Sequence, residues 1–117
     1  MPCTSSALKG IFFESAARQL LRLKGYKILS HNKNWGGVEI DILASKKRTL
    51  VLVEVKYRQS RDKGHIALHP EQRRRLHRQG QQLADDTPYF KDARLDVVLF
   101  FPHRPFVQHI HNVDFCQ

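Results

Sequence analysis

Asp41, Glu54 and Lys56 form the spacing D-x₁₂-E-x-K, and the last two sit inside the apolar run Thr49–Tyr57, "TLVLVEVKY". Residues two apart on a strand point to the same side, so Glu54 and Lys56 project together with Leu50 and Leu52. Val51, Val53, Val55 and Tyr57 project oppositely. Apolar residues on both sides place this strand in the middle of a sheet, where an unpaired charge costs several kcal/mol. The strand before it, "VEIDILA", puts Glu39, Asp41 and Leu43 on one side. In a hairpin Asp41 then faces Glu54. Two carboxylates so close either take up a proton or hold a cation between them. Oxygen ligands on a rigid scaffold suit Mg²⁺ or Mn²⁺, and an adjacent lysine can hold an attacking water and balance the charge of a phosphoryl transition state. The pattern therefore points to metal-assisted attack of water on a phosphodiester. A structural ion pair between Glu54 and Lys56 is the competing reading.

The elements around these residues follow from periodicity. Phe13, Ala16, Ala17, Leu20 and Leu21 recur at helical spacing and predict an amphipathic helix over Ala7–Lys24, capped by Ser5 or Ser6 and ended by Gly25. A short strand "YKILS", a turn "HNKNWGG" and the strand "VEIDILA" follow. The segment "SKKRT" predicts a hairpin into the central strand. Arg61–His69 is basic and irregular and reads as a mobile loop. Pro70 suits a first helical turn, and Glu71 to about Asp85 predicts a second helix. Its stripe would be Gln72, Leu76 and Leu83, with Arg73, Arg74, Arg75 and Arg78 around the rest. "DDTP" stops it, and "LDVVLFF" and "FVQHIHNV" are the last strands. The expected architecture is an α/β or α+β fold: one domain over residues 1–117, with a mixed central sheet of about five strands and a helix on each side.

Composition narrows the partner. Across 117 residues, 20 Lys and Arg stand against 11 Asp and Glu, a net charge of +9, and most of the excess lies between Lys46 and Arg78. Such a patch favours an anionic partner, either nucleic acid or an acidic membrane surface. The sequence has no apolar run long enough to span a bilayer and no signal-peptide pattern, so a cytoplasmic protein is expected. Cys3 and Cys116 read as free thiols. Glu14 lies beside the apolar stripe of the first helix, where it can lean over the sheet as a further acidic ligand or face solvent. Gln72 can present an inward amide. Trp35 can stack on a base of an unpaired strand or pack under its loop. His65 and His69 lack a third ligand for zinc. His109 and His111 could form a metal cluster with Cys116 or be terminal surface residues. Asp96 can partner Lys56 or an arginine.

An acidic residue on the first helix, G-x-E-I-D, "VEVKYR" and "P-x-Q-R-R-R-L", in this order from Leu8 through "LDVVLFF", resemble the YraN-like family of small bacterial proteins. That family is assigned to the PD-(D/E)xK nuclease superfamily, and the chain is more remotely similar to archaeal Holliday junction resolvases. Val38 directly before E-I-D, where the family has Gly, is a departure. The resemblance implies a restriction-endonuclease-like fold, with Asp41 and Glu54 as metal ligands and the Val55 carbonyl as a backbone ligand. It also implies Lys56 as the catalytic lysine, Glu14 and Gln72 in support, and Arg58 on phosphate. The resulting expectation is an Mg²⁺- or Mn²⁺-dependent DNA endonuclease preferring branched or single-stranded DNA, gripped by Arg58, Arg73, Arg74 and Arg78. The alternative is a non-catalytic nucleic-acid-binding module that recruits DNA-processing proteins. A homodimer fits the need of junction-cutting relatives for two sites, and no membrane partner is expected from the nuclease reading.

Overall fold

The computed structural model describes residues 2–61 and 68–113, with the side chains of the first helix described from Gly10 onward. Most of the expected mobile loop, including His65, lies outside the described residues, as does Cys116.

Helix α1 spans Pro2–Leu23. It starts earlier than expected because Pro2 tolerates a first-turn position, which leaves Ser5 and Ser6 within the helix and not at its cap. Its end matches the expectation. Gly25 adopts φ 92, Tyr26 N donates to Leu21 O at 2.9 Å and Gly25 N to Arg22 O at 3.0 Å. These paired bonds satisfy the last carbonyls of the helix through a left-handed glycine.

Strands β1 (Lys27–Trp35), β2 (Val38–Lys46) and β3 (Thr49–Tyr57) form an antiparallel meander. The segment expected as a turn is mostly strand: β1 continues through Trp35, with an irregularity between Ile28 and Ser30. Only Gly36 (φ 59) and Gly37 (φ 85) make the turn, the paired left-handed conformations that a two-residue hairpin requires. Lys47 (φ 51) and Arg48 (φ 66) make the same kind of turn between β2 and β3. Helix α2 (Pro70–Asp86) then crosses over to β4 (Asp92–Phe100), which lies parallel to β3. Strand β5 (Val107–Ile110) closes the sheet antiparallel to β4. The sheet order is β1-β2-β3-β4-β5, so β3 is central, as its two apolar sides require.

Among the described residues, each face of the sheet carries one helix. Leu50, Leu52, Leu95, Val97 and Leu99 pack with Leu76 and Ala84 on the α2 side. Val51, Val53, Val98, Ile42 and Ala44 pack with Ala17 and Leu21 on the α1 side. Each such buried side chain contributes roughly 1.5–3 kcal/mol. The buried stripe of α2 is Arg73, Leu76, Gly80 and Ala84; it shares Leu76 with the expected one and shifts by one residue at either end, with Gln72 and Leu83 half-buried beside it. Gly80 permits the close approach: a Cβ there would lie 3.0 Å from Leu52 Cδ1. His69 Nδ1 caps the helix by accepting from Glu71 N at 3.2 Å. The result is a mixed five-stranded α/β sheet flanked by two helices, consistent with a restriction-endonuclease-like fold. Among the described residues, no helix is long and apolar enough to cross a membrane.

Candidate active site

The site arises where two strands part. The β2–β3 ladder runs from Lys46↔Thr49 to Ile42↔Val53 and stops there, one step before Asp41 would meet Glu54. Beyond it β2 stays paired with β1, through Lys33↔Ile40 to Trp35↔Val38. The turn of the strand shows in its packing, since Ile40 joins the α2-side core and Ile42 the α1-side core. Asp41 therefore sits at the fork, and its Oδ2 accepts a hydrogen bond from Val55 N at 2.9 Å. A carboxylate here serves a backbone N–H that the ladder no longer serves.

Glu54 projects to the α2 side and is 4% exposed. Its Oε2 accepts from Gln72 Nε2 and lies 3.4 Å from Lys56 Nζ. Burial, a hydrogen bond with Asp41 and the Asp41 charge push its carboxyl up to about 8, against the pull of Lys56. Its surroundings thus favour the neutral form of the Glu54 carboxyl. Burial raises Glu14 as well, together with the charges of Asp41 and Glu39, while Asn32 and Arg18 work the other way. The Glu14 Oε1 atom is buried and lacks a hydrogen-bond partner. The structure therefore brings together Asp41, Glu54, Lys56 and Gln72, with Glu14 close enough to feel Asp41.

These donors suit a hard divalent cation. The carboxylates of Glu14, Asp41 and Glu54 offer oxygens, one of them, Glu14 Oε1, without a hydrogen-bond partner, and a cation would replace the proton that the raised Glu54 carboxyl retains. Asp41 Oδ2 is committed to Val55 N, and Gln72 fixes one oxygen of Glu54. Such second contacts orient ligands.

The remaining expected residues are placed less uniformly. Arg58 Nη1 donates to its own neighbour's carbonyl, Tyr57 O, at 3.1 Å. Arg73 is only 9% exposed, on the buried stripe and not on the solvated face, because the helix is rotated relative to the expected phase. Arg74, Arg75 and Arg78 are exposed. Trp35 packs half-buried against the α2-side core with Nε1 buried and unpartnered. Arg75 and Gln72 line a cavity of about 160 Å³ with Gly37, Val38, Glu39 and Leu76. The sequence reading gave Arg75 no role there. A wider groove of about 590 Å³ runs along Arg74, His77, Arg78 and Gln81 on the outer side of α2. It contains none of the converging acids, and it is the acids that mark the chemistry.

A second cluster matches the sequence expectation only in part: that expectation groups His109 and His111 with Cys116, which lies outside the described residues, and not with Asp96. Asp96 is fully buried and pairs with Arg94, whose Nε lies 3.0 Å from Oδ1. The arginine partner expected as one option is therefore the one found. Asn112 N donates to Oδ1 at 2.9 Å, and His109 Nε2 lies 2.9 Å from Oδ2. Burial alone would raise the Asp96 pKa, but the bonds from His109, Arg94 and Asn112 together outweigh it and hold the carboxyl below its usual value. Asp96, His109 and His111 bring ligand atoms within 4.8 Å of one another, a group that could hold a metal ion. The register Val98↔His109 is the signal that puts His109 on the Asp96 face.

Residues 13–100 match the uncharacterised protein family UPF0102. A UPF0102 protein of Parvibaculum lavamentivorans is 41% identical over 97 residues, covering 81% of this chain and 73% of the relative. One from Kosmotoga olearia is 37% identical over 94 residues, covering 80% and 82%. A third, from a Caulobacter species, is 37% identical over 102 residues, covering 86% and 73%. The matched span contains Glu14, Asp41, Glu54, Lys56 and Gln72 and stops short of His109 and His111. The chain belongs to the UPF0102 family.

Proposed function

We propose that this protein is a metal-dependent endonuclease that hydrolyses phosphodiester bonds in DNA, with branched or single-stranded forms preferred. The observation that carries this reading is the buried Glu54 carboxyl, held against Asp41 at the strand fork with Lys56 Nζ 3.4 Å away and Gln72 bonded to it. Asp41, Glu54 and the Val55 carbonyl would hold Mg²⁺ or Mn²⁺, with Glu14 in support, and the bound ion would supply Lewis-acid polarisation of the phosphate and a water of lowered pKa. Glu54 would hold the ion in its ionised form, its proton passing to solvent. Gln72 keeps the Glu54 oxygen in place. Lys56 then presents an ammonium beside the reacting phosphate, where negative charge develops. Arg58, Arg74 and Arg78 bind flanking phosphates, and the net charge of +9 favours encounter with a polyanion.

A second reading is a DNA-binding module without catalysis, which recruits other DNA-processing proteins. It is favoured by the raised Glu54 carboxyl, since a carboxyl kept neutral by its surroundings needs no ion to be stable. Cleavage of labelled single-stranded, branched and duplex DNA with Mn²⁺ or Mg²⁺ separates the two. Metal-dependent products that vanish in Asp41→Asn and Lys56→Ala, with salt-sensitive DNA binding retained, support the nuclease. Absence of products from every substrate, with binding intact, overturns it.

A further inference from the structure

Asp96 aligns with Val53 across the parallel β3–β4 pair, and Glu54 aligns with Val97. Alternation along each strand therefore sets Asp96 on the face opposite Glu54, under the end of α1. The His109 side chain is 3% exposed and that of His111 is 53% exposed. One carboxylate and one imidazole are thus buried beside a second imidazole open to solvent.

We propose that Asp96 Oδ2, His109 Nε2 and His111 Nδ1 form a three-ligand site for zinc or a zinc-like divalent ion, with water as the fourth ligand. It is distinct from the carboxylate site and independent of the nuclease reading.

The distances fit such an ion. His109 Nε2 lies 2.9 Å and His111 Nδ1 3.7 Å from Asp96 Oδ2. Ligands around tetrahedral zinc, with bonds of about 2.0–2.1 Å, stand roughly 3.3–3.4 Å apart, so the exposed His111 ring has to close in by a few tenths of an ångström and the buried His109–Asp96 pair has to open by a similar amount. The surroundings already orient the carboxylate. Arg94 Nε and Asn112 N occupy Oδ1, at 3.0 and 2.9 Å, which leaves Oδ2 turned towards both rings. Arg94 is itself held by Tyr26 OH. Its longer contact to Oδ2, at 3.3 Å, is the one an ion would displace. Two imidazoles and a carboxylate already shared with an arginine suit Zn²⁺ far better than Mg²⁺ or Ca²⁺.

Lys24 opposes occupancy. Its Nζ lies 2.9 Å from His109 Nδ1, and an ammonium can only donate, so Nε2 carries the ring hydrogen and gives it to Asp96. An ion at Nε2 requires the other tautomer, with the hydrogen on Nδ1. Lys24 is exposed and can turn away, but its bond to His109 is lost.

The test uses untagged full-length protein carrying Asp41→Asn, so that the carboxylate site does not contribute, stripped with a chelator and titrated with Zn²⁺ by calorimetry. Co²⁺ serves as a visible reporter of tetrahedral geometry. One Zn²⁺ per chain is expected, with intense Co²⁺ bands. His111→Ala, at a half-exposed side chain, should weaken binding by more than the roughly 10- to 100-fold that loss of an outer partner causes. Lys24→Gln should tighten it, because the glutamine carbonyl can accept the Nδ1 hydrogen. Absence of Zn²⁺ binding, affinity unchanged by His111→Ala, or weaker binding in Lys24→Gln overturns the proposal.

Discussion

Replacing Glu54 by Gln tests the electrostatics of the site without touching its shape. In the wild type the buried carboxyl is pushed from 4.5 to about 8. Between those values the folded protein keeps a proton that the unfolded chain has released. The Glu54 contribution to stability is therefore complete below about pH 4.5, falls as pH rises, and is gone above about pH 8. At about 1.4 kcal/mol per pH unit the full span is about 5 kcal/mol, and water entry on ionisation brings the expected loss to about 2–5 kcal/mol. A glutamine can offer its carbonyl to Gln72 and Lys56 and its N–H to Asp41, so the variant should resemble the protonated wild type. Urea unfolding followed by fluorescence of Trp35, the single tryptophan, reads the difference directly. Wild type and variant should agree near pH 5, and the variant should be the more stable by about 2–5 kcal/mol near pH 9. Taking the difference between the two proteins cancels the other titrating groups. If both curves run parallel across that range, or the variant is weaker at high pH, the Glu54 carboxyl is not held neutral by its surroundings and the electrostatic reasoning is refuted.

The other expectations concern neighbouring parts of the molecule. Asp96→Asn should lower stability at neutral pH by about 3–5 kcal/mol, because Arg94 and His109 lose a fully buried ionised partner. The wild-type Asp96 contribution is complete above 3.8 and disappears as pH falls through its lower folded value, so acid titration of the two proteins should converge there. Gly80→Ala should lower the melting temperature although alanine favours helix by about 1 kcal/mol, since its Cβ would press on Leu52 Cδ1 in a filled core. A net loss of about 1–3 kcal/mol is expected, and a gain would mean that Leu52 can move aside.

The sequence disclosed the central strand because its position is written twice, once on each face: Leu50 and Leu52 alternate with Val51 and Val53. It also disclosed that Asp41 lies near Glu54 and Lys56, but not that the hairpin ladder ends one step earlier, so that Asp41 turns its carboxylate to Val55 N. The length of β1 was hidden. Its residues from His31 to Asn34 are polar and exposed, so no apolar period marks them, and they form a strand because β2 supplies a ladder. The phase of α2 was hidden for a related reason. Only Leu76 and Leu83 announce a face amid many polar residues, and the small Gly80 and Ala84 decide the contact by letting the helix come near. Proximity of Asp96 to His109 depends on pairing with a strand of four residues, too short to carry a register of its own.

The order of strands across the sheet repeats their order along the chain, and this shapes how the protein can assemble. The first three strands need only two tight reversals, so their meander can nucleate on microsecond scales without help from the rest. The parallel docking of β4 on β3 is different: it must gather the whole excursion through α2 before any of its hydrogen bonds can form. That closure is the expected bottleneck, and it brings Gln72 to Glu54. The candidate catalytic group is complete only when α2 lies on the sheet, because Gln72 reaches Glu54 from that helix.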